Sequence, residues 1–181
     1  RARTLVVDPL RGPYFAIQPA LNASVNGDTV LVFPGIYAGN LDTGVTVRIV
    51  GRDGAASTII DGGLTTRGLS VSSATVSLRG LTFRRCAAHT GGGVQMFDSH
   101  VAVEGCVFEN NEAEAGSAIY LIDSDLDLRN CRFRANRSLR QLAGSILHST
   151  RQVPASGAVR TERASFIEAC SFLQLERVNG V

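Results

Sequence analysis

Between residues 74 and 136, apolar and polar positions alternate in short bursts that repeat. Val76 and Leu78, Val101 and Val103, and Leu126 and Leu128 each flank a polar or small residue, so each pair lies on one face of a strand. The bursts recur every 25 residues: Phe83, Phe108 and Phe133 keep that spacing, as do Cys106 and Cys131, and Asn111 and Asn136. Aligning ATVSLRGLTFRRC from 74, SHVAVEGCVFENN from 99 and SDLDLRNCRFRAN from 124 puts Gly80, Gly105 and Asn130 in one column. Gly and Asn tolerate a left-handed backbone, so that column predicts a sharp corner. Leu81, Cys106 and Cys131 follow as an inward column, with the phenylalanines two residues further on. Another strand follows in GGGVQMF and GSAIYLI, and the coil closes on Ser99, Ser124 and Ser149. Three short strands and three bends in each 25-residue repeat predict an all-β fold: a right-handed, single-stranded parallel β-helix. In such a solenoid like residues stack about 4.8 Å apart.

The outward positions keep the same register. Arg79, Glu104 and Arg129 alternate in sign down one column, and Arg84, Glu109 and Arg134 down another. Opposite charges on neighbouring strands stabilise by roughly 0.2–1 kcal/mol a pair, and like charges cost. Val159, Thr161 and Phe166 continue the pattern as a further rung, displaced by eight residues inserted between Ser149 and Ala158, and Glu162 then extends the first charge column.

The N-terminal stretch divides into a helix and several strands. Phe15, Ile17, Ala20 and Leu21 recur as one face of a short helix over 14–24, with Pro19 tolerated only near its first turn. The NGD turn at 26–28 leads into a β-rich run from Thr29 to Phe33, stopped by Pro34 and Gly35; further runs occupy 45–50 and 58–63. The predicted organisation is one domain over 1–181. It comprises the capping helix, first coils at 29–73, regular repeats at 74–149, a protruding loop at 150–157 and a last coil at 158–181. No second lid is evident after that coil, so its strand edges predict a protein partner or neighbouring subunit there, or a continuing polypeptide.

FAIQPALNASVNGDTVLVFPGIY resembles the opening of right-handed parallel β-helix proteins of the pectate-lyase-like superfamily. The residues that carry the likeness are Ile17, Gln18, Ala20, Gly27, Asp28, Thr29, Val30, Pro34, Gly35 and Tyr37. The resemblance implies that the helix closes one end of the stack. The GGGV and GSAI pieces, with FENN and FRAN, are similar to the repeats of polymorphic outer-membrane proteins over residues 91–136; the likeness lapses at Cys86, where that family has Asn, and at FIEA from 166. That second likeness implies display and contact at a cell surface rather than chemistry.

Composition adds limits. Apolar residues make up 44% and charged residues 19%, which fits a folded body rather than a disordered one. All 18 basic residues are arginine, and a formal charge of +2 points to no nucleic-acid partner. No apolar run approaches the roughly 20 residues of a membrane span. The opening Arg1, in place of Met, predicts a processed or excised segment.

One constellation could carry chemistry: Asp98, Asp123, Asp125 and Asp127 with His100 and His148. A strict 25-residue register puts Asp98, Asp123 and His148 in one column and His100 and Asp125 in another, with Asp125 and Asp127 on the same strand face. Several carboxylates on one face are what Ca²⁺ needs, since it takes 6–8 oxygen ligands. Pectate lyases, by the resemblance, use acidic clusters of this sort with an arginine base. The alternative is a solvated face whose carboxylates pair with nearby arginines. Motifs around a catalytic arginine, Asp-Asp and Gly-His-Gly words and a Ser-His-Asp arrangement are all missing, so no catalytic residue is assigned. Cys106 and Cys131 read as free, buried thiols, because no C-x-x-C spacing exists and stacked side chains point the same way. Asn111 and Asn136 read as a ladder of side-chain amides; NAS at 22 and NRS at 136 are also glycosylation sequons.

These features favour a non-catalytic structural or interaction module, adhesin-like and part of a larger chain or complex, at the cell surface or outside the cell. The alternative is a polysaccharide lyase or hydrolase fragment, or a polysaccharide-binding module, using the Asp98–Asp127 face. With no Trp and 6% aromatics, that face has no aromatic platform for sugars.

Overall fold

The computed structural model describes residues 1–139 and the strands at 146–150, 159–162, 165–167 and 174–177. Its strands wind as a right-handed parallel β-helix. The first sheet stacks Thr4–Val7, Thr29–Val32, Val47–Gly51, Thr75–Arg79, His100–Glu104, Asp125–Arg129 and Val159–Glu162. The second stacks Gly35–Ala38, Thr58–Asp61, Thr82–Arg84, Val107–Glu109, Arg132–Arg134 and Ser165–Ile167. The longer closing sheet runs from Leu41–Thr43 through Leu69–Ser72, Val94–Phe97, Ile119–Ile122 and Ile146–Thr150 to Gln174–Arg177.

A rung has four strands where three were expected. Ala87–Thr90, Glu112–Ala115 and Arg137–Ser138 form a short sheet of their own, set off from the closing sheet by a bend whose glycines, Gly91 and Gly116, have φ of 60° and 59°. These strands are built from alanines, threonine and charged residues, with Ala113 their one buried apolar side chain. They therefore lack the bulky alternation that marks the others.

The inward columns stack as the period requires. Val76, Leu78, Val101, Val103, Leu126 and Leu128 are buried, as are Leu81, Cys106 and Cys131. Phe83, Phe108 and Phe133 pile in single file, with ring centroids 5.1 and 5.0 Å apart and planes 10° and 4° from parallel. Corner residues Gly80, Gly105 and Asn130 adopt φ of 61°, 60° and 53°.

Two polar ladders run inside this core. The Cys86 N–H donates to Asn111 Oδ1 (2.9 Å), and Asn111 Nδ2 donates to the Phe83 carbonyl (3.0 Å) and to Asn136 Oδ1 (2.9 Å). Asn136 Nδ2 repeats the contact one rung on, to the Phe108 carbonyl at 2.8 Å. On another corner the Ala74 N–H donates to Ser99 Oγ and the Ser99 N–H to Ser124 Oγ. Each ladder satisfies backbone groups that the bends remove from the strand network.

At the N-terminal end the helix is Ile17–Asn22, shorter than the predicted 14–24. Ile17, Ala20 and Leu21 are buried against Leu41–Thr43, Thr4–Val7 and Thr29–Val32, which closes the stack. Phe15 lies before the helix and is 64% exposed, so it does not belong to the buried face. Thr4–Val7, one 25-residue period ahead of Thr29–Val32, pairs in parallel with it as the outermost strand of the first sheet. Arg3 fastens it, donating through Nε and Nη2 to the Asp28 carboxylate, which also accepts the Arg3 and Val25 N–H groups.

The insertion in the last repeats is split. Leu121 pairs with His148 and Leu126 with Val159, so the offset grows from 25 to 27 and then to 33. Two of the additional residues therefore precede Ile146 and six follow Thr150. Ser149 pairs with Ile122 rather than closing a column with Ser124. Val159, Thr161 and Phe166 do pair with Leu126, Leu128 and Phe133, and Glu162 pairs with Arg129. Of the predicted loop at 150–157, Thr150 ends the strand Ile146–Thr150 and residues 151–157 lie outside the described residues, as does the end of the chain at 178–181.

Candidate functional site

The outward face of the first sheet carries most of the candidate chemistry. Strand alternation sends Val101, Val103, Leu126 and Leu128 inward, which turns His100, Ala102, Asp125 and Asp127 outward. His100 pairs in register with Thr75 and Asp125, and Ala102 with Ser77 and Asp127. Small side chains at Ser77 and Ala102 leave a shallow trough of about 220 Å³, with Thr75, His100 and Arg48 on its lining.

His100 Nε2 lies 3.6 Å from Asp127 Oδ2, beyond hydrogen-bond length, so this contact becomes ionic only when the imidazole is protonated. Asp98 and Asp123 occupy the preceding corner, where φ is 47° and 46°. His148 does not join them. It sits at the register of Met96 and Leu121, the consequence of the two residues inserted ahead of Ile146. Among the described residues no three His, Cys, Asp or Glu side chains gather as a metal site. The reason is geometric. Neighbouring rungs are about 4.8 Å apart and alternate residues of a strand about 7 Å, so carboxylates on a flat face spread rather than converge.

Several carboxylates elsewhere are engaged by arginines, mostly from neighbouring rungs. Asp61 accepts Arg84 and Arg85, both at 2.7 Å, and the Gly63 N–H. Burial pushes its pKa up, but the hydrogen bonds from Arg85, the Gly63 amide and Arg84 outweigh that and bring it to about 2. Asp28 is held well below the usual carboxylate range by hydrogen bonds from the Arg3 side chain, the Arg3 N–H and the Val25 N–H. Glu104 faces Arg79 at 3.9 Å, Glu109 is paired with Arg134, and Glu112 lies 3.8 Å from Arg137. The expected sign-alternating columns are thus present. The first-sheet carboxylates Asp123, Asp125 and Asp127 have interactions of their own.

Cys86, Cys106 and Cys131 are free and buried. Burial pushes the Cys86 and Cys106 thiols up to about 12 and raises Cys131. They are packing residues rather than nucleophiles. Of the two sequons, Asn136 is 2% exposed and committed to its ladder, which closes that site in the folded chain, whereas Asn22 is exposed.

A second feature was not read from the sequence. The outward column of the second sheet runs Ile36, Ile59, Thr82, Val107, Arg132, each one residue before the stacked inward residue. Its members from Ile59 to Arg132, with Ala55 and Ala56 of the loop at 52–57 and the polar side chains of Glu109, Asn130 and Arg134, line a groove of about 510 Å³. The loop is pinned by Arg52, whose guanidinium lies 3.9 Å from the centre of the Phe33 ring, and by Thr82 Oγ1 donating to the Ala55 carbonyl at 2.7 Å. The signal available in the sequence was the residue preceding each inward residue of this sheet, apolar at Ile59 before Ile60 and at Val107 before Phe108 on a face that solvent would otherwise occupy.

No protein-family model matches this chain, and no curated protein matches it. Among solved structures it is similar to a candidate glycosyl hydrolase from Parabacteroides merdae, with 12% identity and a TM-score of 0.48 over 88% of this chain and 80% of that one. It is also similar to the deglycosylated pectin methylesterase of Aspergillus niger, with 13% identity and a TM-score of 0.37 over 95% and 94% of the two chains. Likeness at such identities concerns the fold alone.

Proposed function

We propose that this β-helix is a non-catalytic interaction module: a rigid rod that presents a long flank to a partner, adhesin-like, as part of a larger chain or assembly at the cell surface. One observation carries the reading. Outward carboxylates away from the first-sheet face hold arginines rather than standing free as acid, base or cation ligand, as Asp61 does with Arg84 and Arg85 and Glu109 with Arg134. Those with displaced pKa values, Asp28, Asp53 and Asp61, all move downward, opposite to what a general acid at neutral pH needs.

A polysaccharide partner on the first-sheet face is the second reading, favoured by the trough over Ser77 and Ala102 beside His100 and Asp127. Retention of the chain on immobilised acidic and neutral polysaccharides, with and without Ca²⁺, tests both. Saturable retention lost in the Asp125→Ala, Asp127→Ala double variant would place the partner on this face. Retention unaffected by that variant would leave the contact to another flank or to a protein partner. Conversion of the polysaccharide, lost in the variant, would replace the module reading with an enzymatic one.

A further inference from the structure

We infer that the open edge of the second sheet receives an extended segment of a partner protein as one added strand, paired along Gly35–Ala38 with an apolar side chain over Ile36; this rests on the interaction-module reading and names the partner's form. Gly35–Ala38 is the end strand of its sheet and is bonded on one side only, to Thr58–Asp61. The Gly35 N–H donates to the Ser57 carbonyl and the Gly39 N–H to the Asp61 carbonyl. Backbone groups of a strand alternate sides, so those of Gly35, Tyr37 and Gly39 face the stack and those of Ile36 and Ala38 face away from it. Among the described residues, neither the N–H nor the carbonyl of Ile36 or Ala38 is hydrogen-bonded. Both residues are exposed, Ile36 to 69%.

The three sheets end differently here, and the difference selects the occupant. The third sheet's edge is closed by the cap. Gln18 Oε1 accepts the Asp42 N–H at 2.8 Å and Gln18 Nε2 donates to the Asp42 carbonyl at 3.1 Å, so one side-chain amide stands where a further strand would. The first sheet continues one rung beyond the second, because Thr4–Val7 pairs outside Thr29–Val32 while no described strand pairs outside Gly35–Ala38. The second sheet therefore ends on a ledge one strand deep, beside Thr4–Val7 and the helix packed on it. A second copy of the rod, or another blunt folded body, would strike that strand and helix before its own edge came within the pairing distance of about 4.8 Å. A helix has no free backbone groups to offer, since its own are bonded internally. The vacant donor and acceptor sets of Ile36 and Ala38 lie two residues apart, about 6.6 Å, and an extended peptide repeats its own at that interval. Pro9 Cγ lies 3.3 Å from where a β-carbon on Gly35 would stand, which brings the exposed Leu10 to the same end as Ile36. Both call for an apolar side chain on the added strand.

The probe is a displayed library of random linear 12-residue peptides, selected against the immobilised chain and counter-selected against an Ile36→Pro, Ala38→Pro variant. Proline removes the two N–H groups that face outward and leaves the ladder to Thr58–Asp61 in place, so the variant should keep its far-ultraviolet spectrum. Enriched peptides should alternate β-branched or aromatic residues with polar ones and bind tighter than about 100 μM. N-methylation of every second residue should weaken them at least tenfold in one phase, the phase that faces the edge, and leave binding unchanged in the other. Amide exchange on the unaltered chain needs no variant. Ile36 and Ala38 should exchange freely while Gly35 and Tyr37 are protected, and a selected peptide should slow the first pair at least tenfold. Protection of Ile36 and Ala38 in the free chain would overturn the proposal. So would enriched peptides indifferent to N-methylation in both phases, or a selection in which no peptide distinguishes the two chains. Retention on polysaccharides reads a different face, so failure here is separable from failure of the module reading.

Discussion

Replacing Asn111 with alanine should be among the most damaging single changes in the chain, although it removes only a small amide. The side chain is wholly buried and serves three partners: it accepts from the Cys86 N–H and donates to the Phe83 carbonyl and Asn136 Oδ1. Asn136 Oδ1 keeps the Asn111 backbone N–H at 3.1 Å, so that group survives the substitution. The Cys86 N–H and the Phe83 carbonyl lose the partners this side chain supplied, in a place water does not reach. At about 1–3 kcal/mol for each unsatisfied buried group, the expected loss is about 2–6 kcal/mol. That is a large part of the roughly 5–15 kcal/mol that keeps a typical domain folded. Equilibrium urea unfolding followed by circular dichroism reads it directly, as a drop in midpoint with the slope unchanged. Asn110→Gly, at the adjoining position, is the matched control: Asn110 itself sits at φ 53°, where glycine is at ease, and the change should shift the midpoint little or upward. A cost for Asn111→Ala no greater than about 0.5 kcal/mol, the scatter of ordinary surface changes, would refute the claim that the amide ladder supports the bends.

Further expectations follow from the same geometry. Phe108→Ala opens a hole between Phe83 and Phe133 and should cost about 3–5 kcal/mol in the same unfolding assay, with Phe108→Leu costing less. Asp61 has a folded pKa of about 2, below the unfolded value of about 3.9, so its contribution is complete above pH 4 and lost as pH falls towards 2. The stability gap between wild type and Asp61→Asn should therefore be open at pH 7 and shrink between pH 4 and pH 2 in acid titrations. The Cys86 and Cys106 thiols, raised to about 12 by burial, should resist a thiol reagent at pH 8 in the native chain and react at once in denaturant; rapid native labelling at either position would contradict their burial.

The sequence was most informative where two periods coincide. Alternation within strands and the 25-residue repeat between them put Phe83, Phe108 and Phe133 in one file and Gly80, Gly105 and Asn130 at one corner. It was silent where side chains are small. The AAHT and EAEA strands bury almost nothing, so a fourth side of the rung left no trace in hydrophobicity. The strand Thr4–Val7 was missed although it precedes Thr29–Val32 by one 25-residue period: the stretch between them is taken up by the helix Ile17–Asn22, so the columns that mark the later repeats do not run through it. His148 was misplaced for a different reason: two residues enter the rung in a stretch without a ladder residue to reveal the slip, and only the pairing of Ile119 with Ile146 does so. The candidate carboxylate face was legible as a set of outward positions, but the spreading of its oxygens follows from rung spacing. The groove beside Ile59 and Val107 needed the position of the 52–57 loop, a contact between segments that share no repeat.

The account depends most on outward carboxylates serving the stack and not a reaction. Product formation from a panel of acidic and neutral polysaccharides, followed by reducing ends and by ultraviolet absorbance between pH 4 and pH 9 with and without Ca²⁺, tests this most directly. The expected result is no product above the blank at any pH, even for a polymer that the chain retains. Product that accumulates in proportion to protein and disappears in the Asp125→Asn, Asp127→Asn double variant, with folding intact, would contradict it.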